Sequence, residues 1–535
     1  MKITFKNGPE FEVHKNETLL SAIRRAGLVS ISAPCNGRQH CKKCIVKILE
    51  GRVRDINADT GAPDFSPPLT VLACSTVCES DVLLELPSDD FFSEAINISD
   101  LSSVSGLSSG QQSITRDIIP RAAIALDIGT TTISACLLDL DSLYSSQNNS
   151  NQNELSLVFS APNNQRIFGA DVISRINAAR QGKTQELFRI INNQIKEMLL
   201  GFIKQFNIQK IETLIIAANT TMLHLFINID PSPMGEMPFK PVFIEEKKFK
   251  GADLSLPVDK VYLVPSISAF IGADIVSGLA SINILDKSAS GDIILFIDIG
   301  TNGEIALLHK GKLFCTAAAA GPALEGAEIS CGMGSVKGAI NKISLDNGNI
   351  SFTTIGNTEA LGICGSGLID AMAIMLEENI IDETGAFTDN ELNEFVIAPG
   401  ISILNRDVRQ FQLAKSAILS AIKILCKKTG IEATDIKKVY IAGGLGFHLD
   451  QKSAVRSGLL PKEFLNCIEV CGNTSLKGAV LALAPAASGD QGEGFRNQCR
   501  EIVKASELVD LASDPDFMDA FAENIFFPEK STTQP

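Results

Sequence analysis

One pattern occurs twice in this chain and limits what it can fold into. Ala123-Ile124-Ala125-Leu126 leads into Asp127-Ile128-Gly129-Thr130-Thr131-Thr132 and leaves through Ile133-Ser134-Ala135-Cys136-Leu137-Leu138. From Asp127 to Asp298 is 171 positions, and there Ile293–Ile297 leads into Asp298-Ile299-Gly300-Thr301-Asn302-Gly303-Glu304 and leaves through Ile305-Ala306-Leu307-Leu308. Apolar runs of this length predict strands buried on both faces. Each pair is joined by a turn that starts at a carboxylate and a glycine. Such a turn offers backbone N–H groups and hydroxyls to a phosphate, and its carboxylate can hold Mg²⁺ directly or through water. One copy alone reads as an ordinary hairpin with an Asn-Gly turn. Two copies predict a duplicated fold that grips a phosphate chain from both sides. A third stretch, Val439-Tyr440-Ile441-Ala442-Gly443-Gly444-Leu445-Gly446-Phe447, is a strand followed by a Gly-rich turn of the kind that packs against an adenosine.

At 535 residues the chain exceeds one core and predicts two to four domains. A net charge of −15 argues against nucleic acid as a partner. Residues 1–90 carry 11 basic against 12 acidic side chains, leaving 36 against 50 for the rest, so the N-terminal part is set apart. No stretch reaches the roughly 18 apolar residues of a membrane span. Met-Lys-Ile-Thr-Phe-Lys lacks a signal-peptide core, so no membrane and a cytoplasmic location are expected. The 13 Cys then point to metal or redox chemistry rather than disulfides.

Residues 1–88 read as a small β-grasp unit, with strands at Lys2–Phe5, Phe11–Val13, Ile45–Leu49 and Val82–Leu86 and a helix over Thr18–Ala26. Cys35, Cys41, Cys44 and Cys74 give the spacing C-x5-C-x2-C-x29-C. Three thiolates on one loop and a fourth from afar are what a [2Fe–2S] cluster requires. Structural zinc is the competing reading, although zinc ribbons favour two paired C-x2-C knuckles and this chain has one. Ala33-Pro34-Cys35-Asn36-Gly37 and Leu72-Ala73-Cys74 also look like ferredoxin. Cys78 is the alternative fourth ligand; Cys74 fits the spacing better, leaving Cys78 as a packed thiol. Arg38, Lys42 and Lys43 form either a docking face for an acidic electron partner or a solvated loop.

Residues 89–120 are Ser-rich and predict a flexible linker, roughly 30 Å long on average by random-coil scaling. The polar tract Ser145–Asn153 reads as a surface loop. The body then alternates helices (Val172–Arg180, Thr184–Gln205, Leu368–Leu376, Leu413–Lys428) with strands at Thr213–Ala217 and Val261–Pro265. Ala218-Asn219-Thr220-Thr221-Met222 reads as a polar turn on the substrate side. Gly362-Ile363-Cys364-Gly365-Ser366-Gly367 is either a ribose or phosphate seat or close helix packing. Leu476-Lys477-Gly478-Ala479-Val480 is a small-faced helix suited to a hinge.

The two hairpins and the Gly-rich turn, in this order, resemble the phosphate 1, phosphate 2 and adenosine motifs of the ASKHA superfamily. The expected fold is therefore a multidomain α/β protein: a ferredoxin-like domain (1–88), a linker (89–120), a first ASKHA lobe with a middle region (121–290) and a second lobe with the adenosine motif and tail (291–535). Relatives that transfer phosphoryl groups often keep an acid on the connecting helix. That makes Asp274 the candidate for orienting water or Mg²⁺, or else a helix N-cap.

A [2Fe–2S] domain tethered to an ASKHA ATPase resembles the reductive activators of corrinoid-dependent enzymes (the RACE family). Nearly the whole chain shares the resemblance, from the four Cys through both hairpins and Ile441–Gly446 to Ser513-Asp514-Pro515-Asp516-Phe517 and Phe526-Phe527-Pro528. It implies that Cys35, Cys41, Cys44 and Cys74 hold the cluster and Asp127 and Asp298 the Mg²⁺. Gly129, Thr130, Thr131, Gly300, Thr301 and Asn302 would hold ATP phosphates. Gly443, Gly444 and Gly446 would back the adenosine, and Glu304 would be structural. The implied partners are the corrinoid protein of a methyltransferase system and a low-potential electron donor, in a family whose members are usually homodimers. The implied activity is ATP-driven reduction of Co(II) to Co(I). Plant-type clusters sit near −400 mV and the acceptor couple lies lower. A gap of ~0.3 V is ~7 kcal/mol for one electron, which nucleotide binding and hydrolysis can offset if they distinguish two conformations. A small-molecule kinase with an accessory ferredoxin, a non-enzymatic electron carrier or redox sensor, and an activator of radical dehydratases are the alternatives.

Overall fold

The computed structural model describes residues 1–5, 10–26, 39, 44–57, 68–85, 118–141, 156–169, 171–287, 291–346, 348–389, 391–483 and 492–528. Cys35, Cys41, Arg38, Lys42, Lys43, nearly all of the Ser-rich stretch and the tract Ser145–Asn153 lie outside the described residues. The chain forms two compact units. One comprises Met1–Asp90, Pro322–Ile381 and Ala386–Phe411; the other comprises Phe91–Gly321, Asp382–Gly385 and Gln412–Pro535.

In the first unit the N-terminal segment forms a five-stranded sheet in the order Glu10–Glu12, Lys2–Phe5, Val82–Glu85, Ile45–Glu50, Leu69–Leu72. Lys2–Phe5 pairs parallel with Val82–Glu85, and Ile45–Glu50 runs antiparallel between Val82–Glu85 and Leu69–Leu72. Alternation drives the packing: Ile3, Phe5, Val46, Ile48 and Leu84 face inward and meet Leu19, Leu20 and Ile23 of helix Leu19–Ala26. Two further short strands, Val53–Asp55 and Thr76–Cys78, pair with each other. The same unit holds the sheet of Ala339–Asp346, Asn349–Thr354 and Gly362–Ile363 with helix Gly365–Glu377. Here the Gly-rich helix start is close packing: a Cβ on Gly367 would lie 2.4 Å from the Ile340 carbonyl, and one on Gly362 2.5 Å from that of Cys331.

The second unit shows the duplication. Its first sheet has the order Ser156–Pro162, Thr132–Asp139, Ala122–Ile128, Ile211–Ala218, Lys260–Leu263, Lys247–Lys250. Its second has the order Ile468–Gly472, Ile436–Ala442, Ile293–Ile299, Gly303–His309, Lys312–Ala318, Ser506–Leu508. In each, the strand bearing the Asp has its antiparallel hairpin partner on one side and a parallel strand on the other. Both Asp strands are almost continuously apolar because both faces are covered. Helices Ala273–Ser281 and Thr474–Leu481 cross where small residues allow it: a Cβ on Gly478 would fall 2.1 Å from the Ser277 carbonyl, and Ser277 Oγ donates to the Ser475 carbonyl at 2.7 Å.

Three expected elements differ. Ala218–Met222 is not a turn, because Asn219 accepts from the Met222 amide at 2.9 Å and starts helix Thr220–Phe226. The helix predicted from Leu413 begins at Asn405, where Asp407 accepts from the Leu404 amide at 2.9 Å. The helix predicted to reach Arg180 is α-helical only to Ala178, followed by a wider turn over Ala179–Lys183 with Gly182 at φ +83°. No helix among the described residues is long and apolar enough to cross a membrane.

Candidate functional site

The carboxylates of both hairpins stand at strand ends, where the sheet stops and polar groups gather. Asp127 accepts from Asn473 Nδ2 on one oxygen and from Ser475 Oγ on the other, each at 2.8 Å. These donors flank the start of helix Thr474–Leu481, so the first hairpin is tied to the second half of the chain. Asp274 sits in the first turn of helix Ala273–Ser281, whose N-cap is Gly272; its Oδ1 accepts from the Ile275 amide at 2.9 Å. It is therefore not the N-cap.

Antiparallel register places Glu304 directly opposite Asp298. Like charges at opposed positions of a ladder destabilise it, and Glu304 sets a second carboxyl group beside Asp298. The electrostatics agree. Burial, and then the charge of Asp127, push the Asp274 carboxyl up to about 7. Burial, then Asp274 and Asp298, hold the Glu304 carboxyl well above the usual range, against a hydrogen bond from Asn302. Burial also raises Asp127, against its bonds from Asn473 and Ser475. Partly buried carboxylates that raise one another are a donor set that a divalent cation would relieve. One or two strand-end carboxylates suit Mg²⁺ when water and nucleotide phosphate complete its shell, and among the described residues no three acids form a cation cage by themselves.

The turns fit a polyphosphate. Gly129 donates to the Thr132 carbonyl and Gly300 to that of Asn302, both at 2.9 Å. Thr130 Oγ1 accepts from Asn219 Nδ2 at 3.1 Å. Gly443, at φ +90°, has no room for a Cβ, which would sit 2.6 Å from Asp298 Oδ1 and 2.8 Å from the Ile299 carbonyl. The open side of Gly444 faces no atom within 4 Å, and Gly444–Phe447, including Gly446, forms one tight 3-10 turn. Sequence reasoning missed Asn163, Arg175, Asn219, Asn473 and Ser475 as partners of these turns; only Glu304 had a usable signal, its place across a three-residue turn.

In the N-terminal sheet, Cys44 immediately precedes Ile45–Glu50, and Cys74 follows its antiparallel neighbour Leu69–Leu72 by two residues. Both are buried. The Cys74 amide donates to Cys44 Sγ at 3.4 Å, and the Ala73 amide to the Cys44 carbonyl at 2.7 Å. Two cysteines brought side by side at neighbouring strand ends, one sulfur already accepting from a backbone amide, fit half of a four-thiolate cluster site.

A pH prediction follows from Asp274. Its folded pKa is raised, so the stability it contributes is full below the ordinary aspartate value of about 3.9 and is lost as pH rises through about 7. Free of metal, the protein should melt at a lower temperature at pH 8 than at pH 6. Mg²⁺ competes with the proton, so its addition should raise Tm more at pH 8. Asp274→Asn should flatten this contrast in thermal melts; an equal Mg²⁺ effect at both pH values in the unsubstituted protein would contradict it.

Comparison with known proteins matches three family models: a 2Fe-2S iron-sulfur cluster binding domain over residues 4–79, the RACo middle region over 122–287, and the C-terminal domain of RACo, the ASKHA domain, over 292–535. The chain is 28% identical to the corrinoid activation enzyme RamQ of Eubacterium limosum, with 96% of each chain covered. It is 26% identical to a [Co(II) methylated amine-specific corrinoid protein] reductase of Methanosarcina barkeri, covering 66% of this chain and 68% of that one. A solved structure described as a reductive activator for corrinoid, iron-sulfur protein aligns with a TM-score of 0.67 and 27% identity over 98% of both chains.

Proposed function

The chain belongs to the RACo family of reductive activators, and on that premise we propose that it uses ATP to drive one electron from its N-terminal 2Fe-2S domain onto the Co(II) corrinoid of a methyltransferase corrinoid protein, restoring Co(I). The electron carrier is residues 1–88, joined by the linker 89–120 to lobes 121–290 and 291–535. When bound, the cluster supplies a single low-potential electron, which an external low-potential donor replaces after each transfer. Cys35, Cys41, Cys44 and Cys74 hold it.

The observation that supports the ATP-driven reading is the pair of duplicated Asp hairpins, in which Asp127 accepts from Asn473 and Ser475 and Asp298 stands opposite Glu304. Asp127 and Asp298 hold Mg²⁺, and Asp274 orients it or the attacking water. Gly129, Thr130, Thr131, Gly300, Thr301 and Asn302 seat the phosphates; Gly443, Gly444 and Gly446 back the adenosine. Asp127 binds side chains at the start of helix Thr474–Leu481, so a change at the phosphates reaches the junction of the two sheets. A ligand that binds one arrangement of that junction better than another supplies the coupling. The protein works in the cytoplasm, and a homodimer is consistent with this scheme.

The test is anaerobic: the cluster-loaded full chain, a Co(II) corrinoid protein of a methyltransferase and a low-potential reductant, followed by visible absorbance with and without MgATP. Co(I) should form only with ATP. No Co(I) with a competent partner, or the same yield without nucleotide, ends this reading; phosphorylation of a small molecule would favour a kinase instead.

A further inference from the structure

Behind the first hairpin lies a polar cluster to which the proposed activity gives no role. The Gly129 carbonyl accepts from Asn163 Nδ2 at 2.9 Å, the Thr130 carbonyl from the Arg175 guanidinium, and the Thr131 carbonyl from the Asn163 amide at 2.8 Å. Asn163 and Arg175 are both 0% exposed. Arg175 donates in addition to the Gly169 carbonyl at 3.2 Å and to the Met222 sulfur at 3.0 Å. These acceptors are neutral. Of the charged groups that act on it, Asp171 favours the cation and Arg166 opposes it. The Asp171 carboxylate is engaged with the Ser174 amide at 2.8 Å and hydroxyl at 2.6 Å.

Burying a guanidinium against carbonyls and a thioether is unfavourable, and an aliphatic side chain would fill the volume without that cost. The cluster therefore calls for an explanation beyond packing. A trans peptide sets its N–H antiparallel to its C=O. With the Gly129 and Thr130 carbonyls drawn onto the brace, the amides of Thr130 and Thr131 point away from Asn163 and Arg175, and Thr131 itself is exposed. Two aligned N–H dipoles with a cation behind them form an anion seat.

We infer that Arg175, together with Asn163, is a positioning residue for the nucleotide: it fixes the peptide planes of the first hairpin so that their amides meet phosphate oxygens, and it lends them its charge. This rests on reading that hairpin as a phosphate loop. It adds a specific expectation, namely that the brace affects the phosphates and not the adenosine.

The test compares the binding of MgATP and of adenosine to the cluster-loaded full chain by calorimetry. Arg175→Met should weaken MgATP roughly tenfold or more, the loss expected for hydrogen bonds to a charged group, and leave adenosine within about twofold. Arg175→Lys keeps the charge and a reach to one carbonyl, so it should show the same selective loss at smaller size. The inference is overturned if MgATP binding is unchanged, if both ligands weaken in proportion, or if neither variant folds, since each makes Arg175 purely structural. If the unsubstituted protein binds no MgATP, the proposed activity fails and the inference falls with it, whereas unselective or absent loss in the variants overturns the inference alone.

Discussion

Asp298→Asn should abolish ATP-dependent formation of Co(I) while leaving the protein at least as stable as before. The carboxylate closes strand Ile293–Ile299, faces Glu304 across the ladder and touches the place where a Gly443 Cβ would be. Asparagine keeps the shape and removes the charge. A preorganised group that stabilises transition-state charge is typically worth about 10²–10³ in rate, so ATP turnover should fall by at least about a hundredfold. Removing one of two opposed carboxylates relieves repulsion across the strands, so Tm in Mg²⁺-free buffer should hold or rise. The visible spectrum of the cluster should not change, because its ligands lie elsewhere in the chain. This pairing of lost activity with retained stability is the mark of a site that holds its charges for function. Co(I) formation at the normal rate would remove this hairpin from the ATP-coupling machinery.

The hairpins were legible because one strand–Asp-Ile-Gly-Thr–strand pattern was written twice, and a buried parallel-type strand has few other ways to look. Glu304 was legible in principle: Ile299 pairs with Gly303 across a three-residue turn, so Asp298 must meet Glu304, while in the first hairpin Asp127 meets Ser134. The difference of one turn residue decides which side chain joins the site, and composition does not show it. Arg175 was not legible at all. It lies 45 positions from Thr130, inside an ordinary amphipathic stretch, and nothing local distinguishes it from a surface arginine. Asn473, 346 positions from Asp127, reads as a helix N-cap, and it is one, accepting from the Leu476 amide at 2.8 Å; its second bond is set by the tertiary fold. The helix from Asn405 began early for a related reason, since its polar first turn hides the apolar period that starts at Val408 and Phe411. Local chemistry fixed elements; long-range partners fixed roles.

Cys74→Ser should cost the protein its cluster, and Cys78→Ser should not. The two thiols lie four positions apart, and spacing alone admits either as the distant ligand. Their surroundings separate them. Cys74 follows strand Leu69–Leu72, whose antiparallel neighbour begins just after Cys44, and its amide donates to the Cys44 sulfur at 3.4 Å. Cys78 instead lies within strand Thr76–Cys78, opposite Val53, and lines a hollow of about 410 Å³ with Met1, Val13 and Arg54. Burial pushes its thiol up to about 11, so at neutral pH it stays protonated and behaves as a small apolar side chain. A cluster ligand must be a thiolate, the form that burial disfavours at Cys78. Iron per chain and the visible absorbance should therefore collapse for Cys74→Ser, as for Cys44→Ser, and stay near the unsubstituted values for Cys78→Ser. The reverse pattern would move the fourth ligand to strand Thr76–Cys78. Cys44 and Cys78 would then have to be brought together by a rearrangement of that strand from its pairing with Val53–Asp55.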